Sequence, residues 1–106
     1  MPFVTTDKPN FTADLAGWTG KFFHSDNMSF MHYTIDANAG AIPLHKHVNE
    51  EVWNIIEGTL EVTIGDDTRV VGPGDVALVP SDVEHALNPM GPAKAIVVNY
   101  PHRTTK

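Results

Sequence analysis

The stretch Val52-Trp53-Asn54-Ile55-Ile56-Glu57-Gly58-Thr59-Leu60-Glu61-Val62-Thr63-Ile64 decides the fold class. Leu60 to Ile64 alternates apolar and polar residues one by one, the period of a strand with one face buried. Val52 to Ile56 is β-branched and aromatic, and Glu57-Gly58 breaks the two runs apart. Gly65-Asp66-Asp67-Thr68 is a hairpin turn signal that returns the chain through Arg69-Val70-Val71. Gly72-Pro73-Gly74-Asp75 turns it again into Val76 to Val79, which Pro80-Ser81-Asp82 stops. Leu44, Val48, Val52 and Ile55 also fall at helical spacing, so a helix over 44–57 competes locally. Strands are preferred because Pro43 precedes the window and the downstream residues favour a pleated, half-buried surface.

The same punctuation extends outward. Met28 to Ile35 is a strand closed by Asp36-Ala37-Asn38-Ala39-Gly40, with either Met28, Phe30 and His32 or Ser29, Met31 and Tyr33 on the inner face. His85 to Leu87 is a short strand, Asn88 to Pro92 a loop, and Ala95 to Tyr100 a buried run. Residues 1–20, holding Pro2, Pro9, Gly17 and Gly20, read as an arm with one short strand. Strands recurring every 8 to 12 residues or so imply an all-β sandwich, jelly roll or barrel. The chain divides into an arm over 1–25 belonging to the same domain, a barrel over 26–102 and a tail over 103–106.

Composition narrows the chemistry. With 106 residues there is room for one core, and 42% hydrophobic against 19% charged residues, with eight Gly and eight Pro, describes a folded, turn-rich domain. The net charge of -6 gives no cationic footprint for nucleic acid or anionic membranes. No run approaches the roughly 18 apolar residues of a membrane span, and the first residues lack the basic start of a signal peptide. A soluble, cytoplasmic protein with no nucleic-acid or membrane partner is expected. The chain has no Cys, so any metal must be held by His, Asp or Glu, and six His in so short a sequence need explaining.

His45 and His47 are two apart, a spacing that puts both imidazoles on one face of a strand. Glu51 shares that parity if the chain stays extended, whereas a turn at Val48-Asn49-Glu50 would reset it and leave Glu50 as the rival. His85 reaches the pair only if the sheet closes on itself. Three neutral imidazoles and one carboxylate suit one divalent transition metal, Fe, Mn, Co, Ni, Cu or Zn, with positions left for water or a ligand.

The spacing of these residues resembles the cupins. The first cupin motif runs through Gly40, His45-Lys46-His47, Glu51 and Gly58, with a leading spacer one residue short. The second runs through Gly74, Pro80-Ser81-Asp82 and His85, with Asp82 where the family has Gly and Asn88 one residue early. Fifteen residues, Thr59 to Pro73, separate the motifs. The resemblance implies a small antiparallel jelly-roll β-barrel with a metal inside held by His45, His47, Glu51 and His85. It also implies a homodimer, expected to pack through Trp18 and Phe22-Phe23. Parity with Glu51 sends Trp53 and Ile55 inward as pocket walls, joined by Phe30. His32, Tyr33 and Arg103 are the candidates for catalytic roles, and Arg103 with Tyr100 is placed at the barrel mouth. His24 and His102 read as peripheral.

The function implied is a metal-dependent enzyme of dioxygenase or isomerase type acting on a small organic or sugar-derived molecule. The alternatives are a non-catalytic ligand-binding or sensor module and a structural metal site. Short cupins that open the ring of unsaturated uronates are similar in length and around Glu61-Val62-Thr63-Ile64-Gly65-Asp66, but their acid-bearing C-terminal strand reads Val97-Val98-Asn99 here.

Overall fold

The computed structural model describes residues 3, 5, 7–9 and 11–102; the expectations for Arg103 and the tail lie outside them. Ten strands and no helix occur among the described residues. In chain order they are β1 (Phe11–Leu15), β2 (Trp18–His24), β3 (Ser29–Ile35), β4 (Ile42–His45), β5 (Glu50–Glu57), β6 (Leu60–Ile64), β7 (Asp67–Val71), β8 (Val76–Val79), β9 (His85–Pro89) and β10 (Ala93–Tyr100). A six-stranded sheet has the order β1-β2-β3-β10-β5-β8, and a four-stranded sheet the order β4-β9-β6-β7. All neighbours are antiparallel. The two sheets enclose one core that includes Trp18, Phe22, Trp53, Leu60, Leu87 and Val97, the jelly-roll barrel the strand spacing implied.

The turns explain the register. Ile64 pairs with Asp67, so Gly65-Asp66 alone forms the loop, and Gly65 at φ 59° supplies the positive φ that a two-residue hairpin needs. After β7, Gly72 to Asp75 carries the chain from the small sheet to the large one, where Gly74 N–H donates to the Ile55 carbonyl at 2.9 Å. The helical spacing over 44–57 is not realised, because β4 ends at His45 and β5 begins at Glu50.

Two expectations are corrected here. The N-terminal region holds two strands, joined by a tight turn at Ala16-Gly17, and β2 lies inside the large sheet between β1 and β3. Trp18, Phe22 and Phe23 are therefore buried within the chain itself, at 5%, 2% and 5% exposure, and are not free to pack on a second copy. On β3, Ser29, Met31 and Tyr33 take the inner face. Phe30 points outward beside its register partners Phe23 and Val98, so it is not a pocket wall. Gly20 permits this parity, since a Cβ there would come within 2.9 Å of the Tyr33 ring. No described helix is long and apolar enough to cross a membrane.

Candidate metal centre

His45 is the last residue of β4 and His85 the first of β9, and the two are register partners across that pair. Their ring centroids lie 4.2 Å apart. His47 is not on a strand. It stands in the loop between β4 and β5, and it meets the others because that loop folds back, with centroids 5.6 Å from His45 and 4.9 Å from His85. The Asp82 N–H donates to the His47 carbonyl at 2.9 Å and ties this loop to the turn preceding His85. Asp82 holds φ 60°, a left-handed conformation that Asp tolerates better than most residues, which accounts for its standing where the cupin motif has Gly.

The three rings are oriented alike. Nδ1 of His45 lies 2.9 Å from the Pro43 carbonyl, that of His47 2.9 Å from the Asn49 carbonyl, and that of His85 2.9 Å from the Val83 carbonyl. A carbonyl can only accept, so each Nδ1 carries a proton, and in the neutral ring Nε2 is left with its lone pair. One ligating atom from each of the three imidazoles falls within 4.8 Å of the others, an arrangement that could hold a metal ion.

Glu51 stands beside two of the three imidazoles, His47 and His85, and is not itself part of the three-histidine group. The chain re-enters strand geometry at Glu50, which leaves Glu50 exposed and turns Glu51 inward at 3% exposure. One carboxylate oxygen accepts from Trp53 Nε1–H at 2.9 Å and lies 3.5 Å from His85 Nε2; the other lies 3.2 Å from His47 Nε2. Burial alone would raise the Glu51 pKa. Hydrogen bonding from His85 and Trp53, with positive charge at His47 and His85, outweighs it and holds the carboxyl below its ordinary range. With Nδ1 protonated, the Nε2 lone pairs of His47 and His85 face carboxylate oxygens. That contact is repulsive unless a positive charge, a proton or a metal cation, joins them.

The remaining candidates separate. Trp53 holds Glu51 with its indole N–H and stacks on Tyr33 at 5.7 Å, with Trp18 edge-on at 6.2 Å. Tyr33 is thus part of an aromatic stack, its hydroxyl directed to Met31 Sδ at 3.5 Å. Ile55 is core, at 1% exposure. His32 packs on Phe23 on the outer face, away from the cluster. Tyr100 is exposed at the end of β10, where it pairs with Glu50. His24 and His102 stack on each other at 5.6 Å. Sequence reasoning missed Asn49, whose carbonyl orients His47 and whose side-chain amide donates to the Pro101 carbonyl at 2.6 Å. It read only as a turn former.

Residues 31–99 match the family model described as the Cupin domain. The chain is a cupin. An uncharacterised protein of Streptomyces coelicolor is 33% identical over 69 residues, and the match spans 64% of each of the two chains. Among solved structures, an RmlC-like cupin from Shewanella frigidimarina superposes with a TM-score of 0.87 at 19% identity, covering 98% of this cupin and 94% of the other chain. KdgF from a Halomonas species gives 0.84 at 22% identity, covering 95% of each. An oxalate decarboxylase from B. subtilis gives 0.78 at 23%, covering 90% of this chain and 28% of the other. At these identities the likenesses speak to the fold.

Proposed function

We propose that this cupin holds one divalent transition metal through His45, His47, His85 and Glu51 and uses it, as an enzyme of dioxygenase or isomerase type, on a small polar organic molecule. The observation behind this reading is the convergence of one ligating atom from each of three imidazoles, with the carboxylate of Glu51 beside two of them and each side chain oriented by a bond of its own. Fe, Mn, Co, Ni, Cu and Zn all accept such a mixed nitrogen and oxygen set. A metal held by these residues would supply Lewis-acid polarisation of a carbonyl or hydroxyl oxygen or, were it Fe(II), dioxygen chemistry. The residues of the chain orient the imidazoles, keep Glu51 ionised and, through the Trp53, Tyr33 and Trp18 stack, exclude water from one side of the centre. The oxalate decarboxylase of like fold makes a small oxygen-rich acid a reasonable substrate class.

One observation favours ligand capture without turnover: His32 and Tyr33, the described candidates for proton transfer, are engaged on the outer face and in the aromatic stack. The homodimer is likewise a proposal. Its surface is the outer face of β5 and β8, where Ile56, Val76 and Leu78 are exposed beside an open sheet edge. Light scattering that gives a monomer at micromolar concentration refutes it.

The test of the metal reading is elemental analysis of protein purified without a metal-affinity tag, beside His47→Ala and His85→Ala. About one equivalent in the wild type and far less in both variants is expected. No metal in the wild type under metal-replete conditions, or full retention by the variants, refutes the proposal.

A further inference from the structure

The inner face of the large sheet carries a polar row at one height. Across neighbouring strands, His24 on β2 pairs with Ser29 on β3, Ser29 with Asn99 on β10, and Asn99 with Glu51 on β5. Beyond Asn99 along β10 the same face is wholly apolar: Ala93, Ala95 and Val97 are all part of the core. Asn99 is 0% exposed, and neither its amide N–H2 nor its amide oxygen has a hydrogen-bond partner among the described residues. Buried amides without partners are rare and costly to fold around, so such a group calls for an explanation outside ordinary packing.

The chain that follows covers this row. Tyr100 ends β10, the Pro101 carbonyl is caught by the Asn49 side chain on the β5 side, and His102 lies on His24 at the end of β2. The segment thus crosses the end of the sheet as a strap. It carries a second buried polar atom without a partner among the described residues, His102 Nδ1. Beyond Tyr100, which pairs with Glu50 in the sheet, a side-chain hydrogen bond from Asn49 and the His24 ring stack hold residues 101 and 102 among the described residues.

We propose that Asn99 is the ligand-reading group of this cupin, in a subsite under the Tyr100–His102 strap and one strand away from Glu51. This rests on the reading of the His and Glu cluster as the functional site. Cross-strand neighbours stand about 5 Å apart at Cβ, so a molecule of three or four carbons touching the cluster reaches Asn99 as well. An amide with both atoms open is matched by a donor oxygen beside an acceptor oxygen. A lone carboxylate would serve the N–H2 and leave the amide oxygen bare. The ligand class is therefore a molecule carrying a hydroxyl on the carbon next to a second oxygen, a 2-hydroxy acid or a vicinal diol. Asn99 has no titratable proton, so it binds and orients and moves no proton itself.

The experiment uses isotope-labelled full-length protein incubated with zinc, titrated with lactate against propionate and with ethylene glycol against ethanol, following the Asn99 side-chain amide by NMR. Each pair differs by the hydroxyl. At least one hydroxylated probe is expected to shift the Asn99 amide saturably and to bind roughly tenfold or more tightly than its partner, and which one does so separates acid from diol. Asn99→Leu is expected to erase that preference while keeping its metal content and melting at or above the wild-type temperature, since it removes an unsatisfied buried amide. No shift at Asn99 with any probe, an unchanged preference in Asn99→Leu, or loss of metal together with the preference overturns the subsite. A preference that depends on Asn99 in protein that takes up no zinc supports the subsite and refutes the metal reading instead.

Discussion

Replacing Glu51 by Gln keeps the shape of the side chain and removes its charge, which isolates what the carboxylate contributes to cation binding. The nearest imidazole nitrogen is 3.2 Å from the carboxylate, and a unit charge at that separation with an effective dielectric of about 20 interacts by about 5 kcal/mol. That is an upper bound. The buried carboxylate has already lost solvation, and an amide oxygen in its place still accepts from Trp53 and still offers a lone pair. A net loss of about 2 to 4 kcal/mol remains, equivalent to a metal Kd weakened roughly 30- to 1,000-fold. The assay is competition against a chromophoric chelator at about pH 7.5. Glu50→Gln is the control, since Glu50 is exposed and faces away. An affinity for Glu51→Gln within about threefold of wild type, or an equal loss in Glu50→Gln, refutes the assignment of the carboxylate.

Three further outcomes follow from particular contacts. Gly58 holds φ 77°, and a Cβ there would meet the Pro92 carbonyl oxygen and lie 2.8 Å from Ala93 Cα, whereas Gly74 at φ 89° has nothing within 4 Å. Gly58→Ala is expected to cost about 2 to 5 kcal/mol and lower the melting temperature by at least 10 °C or so, against about 1 kcal/mol for Gly74→Ala; equal melts by circular dichroism refute the steric argument. Asn49→Ala removes the clasp to Pro101 but leaves the backbone carbonyl that orients His47, so backbone amide exchange is expected to rise at Tyr100 and His102 while metal content holds. Glu51 is depressed in the folded state, so its contribution to stability is present above the unfolded carboxyl value near 4.3 and lost as pH falls through its lower folded value. Metal-free wild type is expected to lose stability below about pH 4 more steeply than Glu51→Gln, and parallel acid melts refute it.

What the sequence disclosed depends on how one-sided each strand is. Leu60–Ile64 and Val76–Val79 were legible to the residue because Gly, Pro and Asp close both ends and alternation or burial is unambiguous between them. Ser29–Ile35 was legible as a strand but not as to its faces, because Phe30 and Met31 are both apolar and the large sheet is greasy outside as well as inside. The fit of the Tyr33 ring over Gly20 matches this parity, and that is a contact between strands. Trp18–His24 read as an arm because Gly17 and Gly20 interrupt it; both glycines serve close approaches that need the folded barrel to be seen. The cluster itself was legible from spacing, though the reason given for His47 was not the operative one. Its ring is brought round by a loop that Asn49 and Asp82 hold, rather than by the pleat of a strand.

The way the three imidazoles are held has a consequence for the order of folding and metal uptake. Each Nδ1–H donates to a carbonyl only two residues away along the chain, and Glu51 is held by Trp53, also two residues away. The longer-range bonds that gather these pieces, the β4–β9 pairing of His45 with His85 and the Asp82 N–H to the His47 carbonyl, are backbone bonds of the barrel itself. Nothing in this arrangement needs a metal to form. The barrel is therefore expected to fold without a metal, unlike small domains whose fold is made by the ion. Far-UV circular dichroism of chelator-treated protein should match that of loaded protein. The melting temperature should rise with added metal only as mass action requires, by about 2.7 kcal/mol of stability at a hundredfold excess over Kd. A metal-free chain that loses its strand signal refutes this order, because it would mean that repulsion among three lone pairs and a carboxylate exceeds what the surrounding core and ladders can hold.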